Sequence, residues 1–200
     1  MKIIKQALED INSTQNLLEK AMKLSGLVTS VFKEAGLDLV VVGGSAVEFY
    51  TEGAYMSGDV DFCRRTLAPI SLRTASDIMS QLEATGGPRS WKVAGLFVDL
   101  LGFLENEAVT PCRELETPYG KISVLPAELA LIERVFIAVN PRPDAEARDV
   151  AKKLMAVCLK GGVDVDWQEV ERLAALPTFK ILNEFRQFRK EISDEINAKP

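Results

Sequence analysis

The sequence predicts an α+β protein, a small mixed β-sheet flanked by helices and followed by a C-terminal helical region. Three observations carry that expectation. Leu37-Asp38-Leu39-Val40-Val41-Val42 is a short β-branched run of the kind buried on both faces of a sheet. Asp59-Val60-Asp61-Phe62-Cys63 alternates polar and apolar residues, the period of a strand. Beyond Pro126 the apolar residues recur at helical spacing instead.

The elements follow in order. From Lys2 to Glu34 the apolar positions fit helices, with Ser25-Gly26 expected to split the stretch in two and Ala35-Gly36 to end it. The strand at residues 37–42 leads into Gly43-Gly44-Ser45, a turn, and a helix from Ala46 to Thr51 with Gly44 or Ser45 near its N-cap. A loop over residues 52–58 precedes the Asp59–Cys63 strand. Ser71 to Ala84 reads as a helix, and Trp91 to Leu104 as one or two strands broken at Gly95 and Gly102. Glu114 to Val124 reads as a further strand around Tyr119-Gly120. Helices are expected at residues 128–139, 144–159, 167–176 and 179–196. Asn140-Pro141-Arg142-Pro143 reads as the linker between an α/β domain with N-terminal helices (1–139) and a helical region (144–200).

Composition removes several chemistries. The 200 residues include no histidine, which excludes imidazole-based triads and His-rich zinc sites. Cys63, Cys112 and Cys158 are widely spaced and read as reduced thiols. The net charge of −5 argues against an extended basic surface for DNA or RNA. No apolar run reaches bilayer length and the N-terminus lacks a signal-peptide pattern, so a cytoplasmic protein without a membrane partner is expected.

The chemistry concentrates in two segments. Two glycines after a strand let the backbone turn sharply and approach a ligand closely, and the following helix start suits a phosphate. Ser45 adds a hydroxyl there. Residues two apart on a strand share a face, so Asp59 and Asp61 project together while Val60 and Phe62 face the core. Paired carboxylates repel unless a cation lies between them, and oxygen ligands suit Mg²⁺ or Mn²⁺. Asp99 interrupts the apolar run Phe97-Val98-Asp99-Leu100-Leu101 and offers a third ligand if its strand lies beside the first. Three convergent carboxylates can hold two ions about 3.5 to 4 Å apart, the arrangement for in-line nucleotidyl transfer.

Gly43-Gly44-Ser45 followed by Asp59-Val60-Asp61 resembles the hallmark of the DNA polymerase beta-like nucleotidyltransferase superfamily. The wider text, Gly43 to Tyr50 and Ser57 to Phe62, resembles the minimal prokaryotic nucleotidyltransferases, among them toxin-type enzymes of abortive-infection systems. The resemblance covers roughly Leu37 to Gly102. It implies the nucleotidyltransferase fold and transfer of a nucleoside monophosphate from a nucleoside triphosphate to a hydroxyl acceptor, which could be protein, RNA or a small molecule. By that resemblance Asp59 and Asp61 bind both metals, Asp99 binds the second and helps deprotonate the acceptor, and Gly43, Gly44 and Ser45 hold the triphosphate.

Relatives often carry a basic residue just before Ser-x-Asp, where this chain has Ala54-Tyr55-Met56. Arg64 and Arg65 are the nearest substitutes in sequence, with Arg134, Arg148 and Lys152 further along. Two other functions fit parts of the pattern. A glycosyltransferase would use Asp59 and Asp61 for a metal–nucleotide-sugar but leaves Gly43-Gly44-Ser45 unexplained. A weak or inactive module would keep the fold and act through a partner protein, as in a toxin–antitoxin system. The apolar faces of the C-terminal helices suit acceptor selection or a homodimer.

Overall fold

The computed structural model describes residues 2–67, 69–105 and 108–198; Met1, Lys199 and Pro200, at the expected domain ends, lie outside them. The described elements are α1 (Lys2–Ser13), α2 (Leu17–Glu34), β1 (Leu39–Val41), α3 (Gly43–Tyr50), β2 (Asp59–Arg64), α4 (Leu72–Ser80), β3 (Thr85–Gly86), β4 (Ser90–Val93), β5 (Leu96–Phe103), β6 (Arg113–Thr117), β7 (Gly120–Val124), α5 (Ala127–Val139), α6 (Ala145–Leu159), α7 (Trp167–Ala175) and α8 (Leu182–Asn197). The expected α+β class is what forms. Backbone contacts group the described chain into a sheet unit (residues 2–49, 56–105 and 112–125) and a helical unit (residues 50–55, 108–111 and 126–198). The division falls between Leu125 and Pro126, so α5 belongs with the helices.

The sheet has seven strands in the order β3-β4-β5-β2-β1-β7-β6. It is mixed: β2–β5 and β1–β7 pair in parallel, and the remaining neighbours pair antiparallel. Leu39, Val40 and Val41 are buried on both faces of β1, as an uninterrupted β-branched run requires. In β2, Val60 and Phe62 are buried while Asp59 and Asp61 are half-buried. That alternation fixes register, because a slip of one residue would bury both carboxylates and expose the phenyl ring. α2 packs on β7, β1 and β6 through its buried stripe, including Leu24, Val28 and Phe32.

The helical break lies earlier than Ser25-Gly26. Asn16 caps α2 by accepting the Glu19 amide at 2.9 Å, so the chain divides at residues 14–16 and α2 runs unbroken to Glu34. Ser25 Oγ donates back to Ala21 O at 2.7 Å and leaves the helix intact. Gly26 serves close packing: a Cβ there would strike the Thr117 side chain of β6. Residues 114–124 form a hairpin, β6 and β7, rather than one strand, because Pro118-Tyr119 is its two-residue turn, closed by the Thr117–Gly120 pair, and Gly120 has φ +132°. α3 begins at Gly43, so Ser45 sits inside the helix and not at its cap.

In the helical unit, α5 packs against α6, α7 and α8. Ile132 and Val135 of α5, Leu154 and Met155 of α6, Leu173 of α7 and Phe185 of α8 are all buried there. Asp144 and Asp166 cap α6 and α7. No helix among the described residues is long and apolar enough to cross a membrane.

Candidate metal centre

Strands β2 and β5 run side by side in parallel, with Asp59 opposite Phe97 and Asp61 opposite Asp99. Direct register partners share a sheet face, and so do residues two apart on a strand. Asp59, Asp61 and Asp99 therefore project from one face, and one carboxylate oxygen from each lies within 4.8 Å of the other two. All three residues are half-buried. Asp99 Oδ1 is buried without a hydrogen-bond partner among the described residues. Three carboxylates at this separation repel one another in a site where water screens them only partly. A divalent cation removes that penalty and gives the orphaned oxygen a partner. An all-oxygen donor set suits a hard ion such as Mg²⁺ or Mn²⁺, so the residues present fit the metal.

The loop into α3 braces the pair. Gly43 has φ +62°, and a Cβ on it would overlap Asp61 Oδ2 and stand 3.1 Å from Cγ. The Gly44 amide donates to Asp61 Oδ2 at 3.3 Å. Ser45 is fully buried, and its hydroxyl joins α3 to β2 by donating to Asp59 O at 3.0 Å and accepting from Asp61 N at 2.9 Å. That hydroxyl is occupied in holding the backbone between the two aspartates.

Glu48 and Ser57 complete the surround. The Ser57 amide donates to Glu48 Oε2 at 2.8 Å, and its hydroxyl donates to Asp59 Oδ1 at 2.5 Å. Burial pushes the Glu48 carboxyl above its ordinary range and the Asp59 charge adds to this, while the Ser57 amide opposes it. Sequence reasoning assigned neither residue a role. The available signal was Glu48 itself, a carboxylate among the apolar residues of a helix that follows Gly43-Gly44-Ser45.

The two arginines are not gathered with the carboxylates. Strand parity puts Arg64 on the side of Val60 and Phe62, where it lines a cleft with Leu72 and Ala75 of α4 and with Arg89. Arg65 lies past the end of β2 with its guanidinium 3.9 Å from Glu114 and close to the Cys112 thiol. Arg148 and Lys152 of the helical unit pair with Glu191 and Glu195.

No family model matches the chain, and no curated protein matches it. Solved structures do. A nucleotidyltransferase-like antigenic protein from Paracoccidioides brasiliensis aligns at a TM-score of 0.54 and 13% identity, covering 88% of this chain and 94% of that one. The antibiotic-resistance factor ANT(2'')-Ia aligns in solution at a TM-score of 0.48 and 14% identity, covering 85% and 93%. Its crystal structure with adenylyl-2''-tobramycin aligns at 0.45 and 12%, covering 88% and 98%. The seven-stranded mixed sheet and its helices thus have the nucleotidyltransferase fold, and the three carboxylates stand on adjacent strands of that sheet.

Proposed function

We propose that this chain is a metal-dependent nucleotidyltransferase, moving a nucleoside monophosphate from a nucleoside triphosphate to a hydroxyl on a protein, RNA or small-molecule acceptor. The observation that carries this reading is the convergence of Asp59, Asp61 and Asp99 oxygens within 4.8 Å, one of them buried and unpartnered among the described residues. Asp59 and Asp61 would hold both ions, and Asp99 the second. Bound divalent cations supply charge neutralisation at the α-phosphate and at the attacking oxygen.

The remaining work falls to the protein. Gly43 and Gly44 keep the entrance to α3 bare, so a triphosphate can approach the helix N-terminus beside Asp61. Ser45 fixes the spacing of Asp59 and Asp61 from beneath. The acceptor oxygen bonds to the α-phosphorus as the bond from that phosphorus to its bridging oxygen breaks. Pyrophosphate departs with the electron pair, and the hydroxyl proton passes to Asp99. Arg64 and Arg65 have no part in this scheme, because one faces the opposite side of the sheet and the other pairs with Glu114.

Calorimetric titration of the four nucleoside triphosphates, with and without Mg²⁺, tests the proposal. Metal-dependent binding that disappears in Asp59→Ala/Asp61→Ala supports it, and absence of binding by every nucleotide refutes it. Binding without transfer to any acceptor class would favour the weak or inactive module acting through a partner.

A further inference from the structure

The face of the sheet opposite the carboxylates holds a cleft of about 140 Å³ between α4 and the ends of β2 and β5. Strand periodicity explains how it forms. Phe62 and Leu100 are register partners, so Arg64, two residues past Phe62, stands on the Leu100 side. Beyond that pair β5 carries a bulge: Cys63 pairs with Gly102, which leaves Leu101 unpaired and bends the strand there. The Leu100 amide donates to Arg89 O at 2.8 Å and ties Arg89 to the same stretch of β5. Ser71 caps α4, whose N-terminal half brings Leu72 and Ala75 to the cleft wall.

The charge of this lining runs against that of the chain. Arg64 and Arg89 border the cleft, and no acidic residue among the described residues does, although the net charge is −5. Arg89 is exposed and forms no ion pair among the described residues. Two guanidinium groups at one small cleft repel each other unless an anion lies between them. The rest of the wall is apolar, and Leu72 and Leu101 are 58% and 53% exposed. Large apolar side chains left open to water beside two cations are the complement of an anion with an apolar body.

We propose that this cleft binds a small organic phosphate monoester, its phosphoryl group between Arg64 and Arg89 and its apolar group against Leu72, Leu100 and Leu101. Two fixed positive charges match a phosphate monoester, which carries about −1.5 to −2 at pH 7, better than a singly charged carboxylate. Arginine stems lie along apolar surface while their charged heads stay at the mouth, where the phosphoryl oxygens accept from them. The volume sets the size of the apolar group: a cavity of about 150 Å³ takes benzene, so a single ring or a short branched chain fits. The site does not depend on nucleotidyl transfer. It lies across the sheet from Asp99, whose neighbour Leu100 lines it.

Phenyl phosphate, benzoate and inorganic phosphate are the probes, titrated in EDTA and followed by amide shifts in ¹H–¹⁵N spectra. The proteins are the wild type, Arg89→Gln, Arg89→Lys and Asp59→Asn/Asp61→Asn. EDTA removes divalent cations, so no probe is held through a metal at the carboxylates. Phenyl phosphate is expected to give saturable shifts at Leu72, Leu100, Leu101 and Gly102, with benzoate and inorganic phosphate binding more weakly. Arg89→Gln should weaken phenyl phosphate about tenfold, with Arg89→Lys recovering part of the loss. Asp59→Asn/Asp61→Asn should bind it as the wild type does. The Arg89 side chain is exposed, so its replacement keeps the core, and the rest of the spectrum checks this. Absence of saturable shifts at these amides overturns the site, as does phenyl phosphate binding that Arg89→Gln leaves within twofold. Benzoate binding as tightly as phenyl phosphate overturns the phosphate assignment, and inorganic phosphate doing so overturns the apolar seat. Loss of binding in Asp59→Asn/Asp61→Asn places the probe at the carboxylates and overturns the proposal as well.

Discussion

Gly43 lies against the carboxylate of Asp61 so closely that any Cβ on it would overlap Oδ2. Its φ of +62° adds a second constraint, because side-chain-bearing residues hold the left-handed conformation at a cost of about 1–2 kcal/mol. Gly43→Ala is therefore expected to lower stability by about 2 kcal/mol and to displace Asp61 from its partners. Urea unfolding measures the first effect, and Mn²⁺ binding, weakened at least tenfold, measures the second.

Ser45→Ala isolates the buried hydroxyl between Asp59 O and Asp61 N. Removing it leaves a carbonyl and an amide without that partner, at about 1–3 kcal/mol. Nucleotide binding should weaken along with stability if the hydroxyl sets the spacing of the two aspartates. A loss of stability with unchanged metal and nucleotide affinity would confine Ser45 to a structural role.

Much of this site was legible in the sequence, and the reasons differ by residue. Period-two alternation alone puts Asp59 and Asp61 on one face. The same rule places Arg64, three residues after Asp61, on the other face, so that signal was present beside the expectation that Arg64 meets the triphosphate. Asp99 stood out as a charge in an apolar run, but its alignment with Asp61 depends on long-range pairing between strands that no local pattern encodes. The helix break at Asn16 was missed because Ser25-Gly26 has breaker composition, while the neighbouring Thr117 requires a glycine inside the helix.

Glu48 is 1% exposed and its carboxyl is pushed up by burial. A raised folded-state value means that its stabilising contribution is complete below the ordinary value near 4.5 and is lost as pH rises through the folded value. Glu48→Gln keeps an acceptor for the Ser57 amide and removes the buried charge. In EDTA the variant is expected to match or exceed wild-type stability at pH 8 and to lose that advantage toward pH 4. Chemical denaturation across this range reads the difference.

The Cys158 thiol is buried on α6, and burial pushes its pKa up to about 12. Its contribution to stability is present below the ordinary value of 9.0 and lost as pH climbs toward about 12. At pH 8 a disulfide reagent should react with the half-buried Cys63 and Cys112 before Cys158. Modification of Cys158 should then track unfolding, as denaturant dependence of its rate would reveal.

The central claim is that Asp59, Asp61 and Asp99 together hold divalent cations. Mn²⁺ titration without nucleotide, followed by electron paramagnetic resonance, tests it most directly. The account predicts saturable binding that is abolished in Asp59→Asn/Asp61→Asn and reduced in Asp99→Asn. Binding that all three substitutions leave unchanged would contradict it.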